Sequence, residues 1–483
     1  MLAARPGGCT PGAFPGPAPR VAALRSLSRM AELKTLVVDG ITPVGAYAAL
    51  RRDAGEGSFL LESVVPGERW GRYSILGYHP RRQVILHGES GVDPFARLAE
   101  LVPTGERVEA EVAARFASAH VGVLAYDLVH YATKVEPWPA PGDPIARLVG
   151  DATVVVFDNL THTATIAAPD AAELARAERD LSRVAPLSPL LPPDPAALPP
   201  DVEVGTSDEE FGDSVERVKE YIRAGDAFQV VPARTFSVPA DGADPFDVYR
   251  ALRVLSPAPY MYLIELPARP GSPAVAIAGA SPETLVRVEG RRVTLRPIAG
   301  TRRRGLSPEE DDALAAEMLA DPKELAEHVM LIDLARNDIG RIASAGSVTL
   351  AQRMEVERFS HVMHIVSEVT GELAAGQGPW DVLRATFPAG TLSGAPKVRA
   401  MQIIRELERR PRGAYGGAIG YVTGGTDLDF AIAIRTVVMR DGRFEVTAGA
   451  GVVADSVPEL EAKETRNKAR AALAAIHAAR SRA

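Results

Sequence analysis

Residues 284–295 read TLVRVEGRRVTL. Two β-like runs flank Glu289-Gly290-Arg291, the pattern of an antiparallel hairpin closed at a glycine turn. A hairpin in mid-chain argues against a doubly wound parallel sheet. The surrounding sequence agrees. QVILHG, HVGVLAY and DATVVVFDN read as strands, and PDAAELARAERDLSRV reads as a helix. Helices and strands do not alternate strictly, so the expected class is α+β, a mixed α/β layout.

The chain has 483 residues and a formal net charge of −8. That balance speaks against a general nucleic-acid binder. No apolar run reaches the length of a membrane span. The single cysteine, Cys9, excludes an internal disulfide, a cysteine zinc site and a thiol nucleophile in the core, which fits a cytosolic enzyme. Composition divides the chain into a disordered tail (1–31), an N-terminal region (32–182), a Pro-rich linker (183–208) and a denser α/β region (209–476).

Two stretches carry paired acids. DPKELAEHVMLIDLARNDIG (321–340) opens as a helix, with Asp321 as N-cap, Pro322 in the first turn and Glu324 three residues after the cap. Helical spacing puts Glu324 and Glu327 on one stripe with Leu331 and Leu334, expected to face inward. A second helix is expected from Ser456, with a Ser-x-x-Glu capping box ending at Glu459. It carries Glu461, Glu464 and Lys468 on one face. If the helices face each other, the four carboxylates suit a hard divalent cation such as Mg2+. The alternative is that Glu324 only completes a cap and Glu461 is a solvated helix charge.

In FPAGTLSGAPK, Gly390, Ser393, Gly394 and Pro396 form a tight turn releasing a helix near Pro396. This is either an anion site or an ordinary junction. Gly449-x-Gly451-x-x-Ala454 matches a dinucleotide fingerprint formally, but no βαβ unit surrounds it. The glycines are expected to let a ligand approach the backbone. His364 shares a strand face with Val362 and Val366, as a satisfied core residue or as an acid/base. Arg435, in DFAIAIRTVVM, reads as an inward cation within a strand, facing an anion or a structural partner.

GDAFQVV, AGASPETLV, RPIAGTRRRG, DPKELAEHVMLIDLARNDIGR, HVMH, FPAGTLSGAPK, AYGGAIGY, AIAIRT, AGAGVVADS and ELEAKETRNKA follow one another between about residues 208 and 475. In this order they resemble the chorismate-utilising enzymes, most closely the anthranilate synthase component I family. FLLESV and RYSILG extend the likeness over nearly everything after the tail. The resemblance implies two packed β-sheets surrounded by helices, with an N-terminal regulatory region. It implies that Glu327 and Glu464 hold Mg2+, with Glu324 and Glu461 lining the same site. Tyr415, Arg435, Gly449, Ala450 and Gly451 would hold the enolpyruvyl carboxylate of chorismate, with Lys468 nearby. Gly300, Thr301 and Thr391 would complete the pocket, and His364 and Glu283 would assist departure of the ring hydroxyl.

Within the family, Ala299 stands where aminodeoxychorismate synthases often place a lysine nucleophile. Gln229 stands where salicylate and isochorismate synthases place a lysine base. The resemblance therefore implies an ammonia-using enzyme that makes anthranilate and pyruvate. Without a suitable cysteine, it would depend on a separate glutaminase subunit, component II. Glu62, Ser63, Pro259, Tyr260 and Met261 resemble a tryptophan feedback site, although the usual Asn-Pro-Ser-Pro reads Ser256-Pro257-Ala258-Pro259. Rival readings are a 4-amino-4-deoxychorismate synthase and a non-catalytic tryptophan-binding regulator.

Overall fold

A computed structural model describes residues 31–51, 55–63, 71–105, 111–139, 143–359 and 362–482. The tail up to residue 30, with Cys9, lies outside them. Thr284–Glu289 pairs antiparallel with Arg292–Leu295, and Gly290 makes the turn at φ +61°. The positive φ is where glycine is free of the Cβ penalty. This hairpin is the centre of a ten-stranded sheet that ends on Arg82–Leu86.

An eleven-stranded sheet lies against it. Phe59, Ile75 and Ile264 of the larger sheet meet Val121, Val149 and Ile419 of the smaller in one buried cluster. Each such side chain contributes roughly 1.5–3 kcal/mol on burial. The outer face of the larger sheet is covered by Pro43–Leu50, Pro245–Leu255 and Pro458–Arg480; Leu60, Leu263 and Phe444 pack beneath them. Pro322–Gly340 and Pro379–Thr386 cover the other sheet through Ile332, Ile339 and Leu383. The result is four layers: helices, sheet, sheet, helices. No helix among the described residues is long and apolar enough to cross a membrane.

Both sheets draw strands from both halves of the sequence. Ser58–Glu62 pairs with Tyr260–Leu266, and His120–Leu124 pairs with Ala418–Val422. The Pro-rich stretch is not a free tether. Glu203–Val204 adds a short edge strand beside Ala233–Pro239, and Leu187, Leu190 and Val202 pack on the core.

Among the chain crossings between the sheets, two lie at the candidate site. One runs from Val275–Ser281 to Thr284–Glu289, through Pro282 and Glu283. The other runs from Leu428–Ile432 to Thr436–Arg440, through Ala433, Ile434 and Arg435. They lie side by side: Ile432 N–H donates to Glu283 O at 3.0 Å, and Ala280 N–H to Arg435 O at 3.2 Å. Arg435 is therefore not inside a strand. It takes φ +51°, a left-handed conformation costly for a non-glycine residue.

Candidate active site

The first crossing holds Glu283. Thr391 Oγ1 donates to Glu283 Oε1 at 2.8 Å. Burial pushes the Glu283 carboxyl up to about 7, while the Thr391 bond and the charge of Lys468 pull the other way. His364 moves in the opposite sense. Burial lowers its pKa, the Gly300 bond opposes this, and nearby Arg435 lowers it further. Its Nδ1 donates to Gly300 O at 2.9 Å and lies 3.1 Å from Thr301 Oγ1. With Nδ1 protonated, Nε2 carries the lone pair. The bulge that presents Gly300 O sits at φ +65°, where the register shifts between Ala299 and Thr301. Opposite displacements of this kind are the environment in which one group can donate and another accept a proton.

The Arg435 guanidinium makes no hydrogen bond or ion pair among the described residues. Burial lowers its pKa, while Tyr415 and Glu464 favour its charge. Beside it, Lys468 Nζ donates to Gly449 O at 3.0 Å and pairs with Glu464 at 2.7 Å. Burial raises the Tyr415 phenol to about 12, and its hydroxyl bonds the Gly449 backbone. The glycines have an internal reason. A Cβ at Gly449 would lie 2.7 Å from the Tyr415 hydroxyl, and one at Gly451 would lie 2.9 Å from Gln229 Nε2. The close approach expected of a ligand is thus made by the protein's own side chains. Ala450 N–H is already bonded to Pro232 O at 3.1 Å.

The acid pairs depart from expectation. Asp321 caps Pro322–Gly340 by accepting from the Lys323 and Glu324 N–H groups, but Glu324 does not complete a capping box. Its carboxylate instead accepts from Arg302 Nη1 at 3.0 Å. Pro458–Arg480 starts two residues beyond the expected Ser456, with Val457 as N-cap and no side-chain cap. Ser456 instead bonds Glu461 and accepts from Val453 N–H at 3.1 Å. Among the described residues no three acid, histidine or cysteine side chains converge closely enough to hold a metal. The expected four-carboxylate cluster is not assembled, because Arg302 holds Glu324 and Lys468 holds Glu464. Glu327 and Glu461 remain raised in pKa, each first by burial and then by a neighbouring carboxylate: Glu324 for Glu327, Glu464 for Glu461. Lys468 acts on Glu327 and Lys323 acts on Glu461, so the two helices sense each other's charges.

Glu62, Ser63, Pro259, Tyr260 and Met261 do come together, around a cavity of about 360 Å³. Glu62 accepts from Tyr249 at 2.5 Å and Ser74 at 3.3 Å, and pairs with Arg253 at 3.1 Å. Tyr260 donates to Asp429 at 2.9 Å and lies 2.9 Å from Thr284 Oγ1.

A family model described as chorismate binding enzyme matches residues 58–474. The anthranilate synthase component 1 of Pseudomonas putida is 44% identical over 470 residues, covering 91% of this chain and 94% of that protein. That of Aquifex aeolicus is 43% identical over 474 residues, covering 92% and 94%.

The chain belongs to the anthranilate synthase component I family of chorismate-binding enzymes.

A crystal structure of a family member from Streptococcus pneumoniae superposes with a TM-score of 0.72 at 35% identity, covering 91% of this chain and 98% of that one. A menaquinone-specific isochorismate synthase from Escherichia coli shares the fold at 17% identity and a TM-score of 0.68.

Two contributors escaped the sequence reading. Arg302 is the partner of Glu324, and Gln229 bonds Glu327 while lying over Gly451. Gln229 was singled out only as the absence of a lysine. Nothing local marks either contact, since both join distant segments.

Proposed function

We propose that this chain, an anthranilate-forming lyase by its family, works in the cleft between Glu283, His364 and Arg435. It turns chorismate and ammonia into anthranilate, pyruvate and water, the first step of tryptophan biosynthesis from chorismate. The observation that carries the reading is the opposite displacement of the Glu283 and His364 pKa values. Protonated Glu283 donates to the departing ring hydroxyl as ammonia forms its bond to C2. Neutral His364 accepts, at Nε2, the ring proton lost as the enolpyruvyl group leaves as pyruvate. Arg435, without a carboxylate partner of its own, holds a substrate carboxylate, aided by Tyr415 and Lys468.

The half-buried carboxylates Glu327 and Glu461 carry the oxygen donors a hard divalent cation prefers, each already repelled by a neighbouring carboxylate, Glu324 and Glu464 respectively. Glu324 and Glu464 would join it by leaving Arg302 and Lys468. Mg2+ bound there would offset the negative charge of the substrate's ring carboxylate. Ammonia would come from glutamine through a component II glutaminase subunit, and the Glu62–Tyr260 pocket would take tryptophan as feedback inhibitor.

The test is the purified chain with chorismate, Mg2+ and ammonium. Fluorescent anthranilate is the expected product; 4-amino-4-deoxychorismate, or no product, overturns the reading. Glu327→Gln is expected to abolish Mg2+-dependent turnover, and a wild-type rate would remove Glu327 from the metal site.

A further inference from the structure

Behind Tyr415 the two sheets part around a cavity of about 540 Å³. Its walls include Val123 and Arg147 from one sheet and Ile277 and Val438 from the other. Protein interiors are close-packed, so a space of this size at the midplane needs an explanation. We propose that it is a second ligand site, for a small planar carboxylate, separate from the catalytic cleft and from the Glu62–Tyr260 pocket.

Two buried groups specify that chemistry. Arg147 is 5% exposed and lines the cavity. Its guanidinium donates to Pro273 O at 2.6 Å and Pro267 O at 2.7 Å. It forms no ion pair with any described carboxylate. Asp143 is near enough to favour its charge, but is engaged with Arg440. Two neutral carbonyls leave this buried cation without an ion-paired carboxylate among the described residues, and an anionic ligand would supply one. His130, 8% exposed, also lines the cavity, and its Nδ1 has no hydrogen-bond partner. Its Nε2 lies 3.6 Å from Asp127 Oδ1. The site therefore offers an apolar slot between two sheets, a cation, and a ring nitrogen open to a polar substituent. A flat apolar body with a carboxylate head matches all three.

Occupancy would be felt in the cleft. Tyr415 lines the cavity, and its hydroxyl reaches Gly449 on the catalytic side. Asp127 holds the turn that leads to Tyr415, accepting from Arg412 N–H at 3.3 Å and Gly413 N–H at 2.7 Å. The same carboxylate accepts from Trp138 Nε1 at 3.2 Å, so Trp138 is a built-in reporter.

The experiment titrates 2-naphthoate into Mg2+-free protein and follows tryptophan fluorescence, with neutral 2-naphthamide as control. Saturable quenching by the carboxylate, lost in Trp138→Phe, is expected. Arg147→Met should weaken binding at least tenfold. Val438→Trp, which fills the slot, should abolish it without touching Arg147. Arg435→Gln should leave it unchanged. The proposal falls if wild-type protein shows no saturable binding, if the amide binds equally well, or if Val438→Trp binds normally. It also falls if Arg435→Gln is the variant that loses binding, since the probe would then sit in the catalytic cleft.

Discussion

Glu283 and Glu62 are both buried carboxylates beside the same pair of sheets, yet they live under opposite conditions. Glu62 is answered by a tyrosine, a serine and an arginine. Glu283 has one side-chain hydroxyl, from Thr391, and burial lifts it to about 7. Arg253 is committed to Glu62, whereas Arg435 has no anion of its own and a left-handed backbone. Satisfied charge makes a rigid wall that can shape a pocket. Unsatisfied charge costs stability but leaves proton transfer and anion binding to the substrate. The two regions nearly touch, because Tyr260 of the Glu62 pocket contacts Thr284, the residue after Glu283.

The comparison breaks first at the acid. Glu283→Gln should lower kcat by about 10²–10⁴-fold with little change in KM for chorismate. At fixed free ammonia, wild-type kcat should fall as pH rises through about 7, because the protonated carboxyl is the working form. A rate unchanged by the substitution, or a flat profile, would remove Glu283 from that role. Stability carries the same signature. A carboxyl pKa raised on folding means that ionisation opposes folding. Stability should therefore fall as pH rises from about 4.3 through about 7, and denaturant titrations of Glu283→Gln should lose that slope.

A smaller effect tests the cation. Arg435→Gln should raise KM for chorismate by about 10–100-fold, the scale of one charge-assisted hydrogen-bond pair. Because its guanidinium has no hydrogen-bond or ion-pair partner among the described residues, the melting temperature should not drop. A large loss of stability with unchanged KM would make Arg435 a structural residue.

The smallest effect sharpens the boundary between the regions. Thr284→Val removes the hydroxyl between Tyr260 and the Glu283 crossing. It should raise the tryptophan concentration for half-inhibition by about 2–10-fold, the value of one neutral hydrogen bond. Turnover without tryptophan should change little. Unaltered inhibition would mean that the pocket signals by another route.

Much of the molecule was readable residue by residue. The 284–295 hairpin, the Asp321 cap and the inward stripe of Leu331 follow from turn chemistry and helical period. The ten ordered motifs pointed to the cleft. What failed was local in a different way. Glu324 and Ser456 both have the spacing of capping boxes, yet Glu324 turns to Arg302, brought by folding, and Ser456 to Glu461, five residues on in the adjoining helix. A side chain that can reach a cation or a buried carboxyl does better there than on a solvated helix end. The linker reading missed Glu203–Val204, because a two-residue strand leaves no periodicity to detect.

The sequence by itself determined the mixed class with its antiparallel hairpin, the two acid-bearing helices and the lack of a core thiol. It did so because these depend on residue type and on spacings of a few positions. Only the tertiary structure decided that Glu283 and Arg435 stand on adjacent crossings between sheets, and that burial separates Glu283 from His364 in proton affinity. It also decided that two of the four carboxylates are held by basic side chains. Desolvation and through-space charge are set by whatever the fold packs around a group, and no stretch of chain carries that information alone.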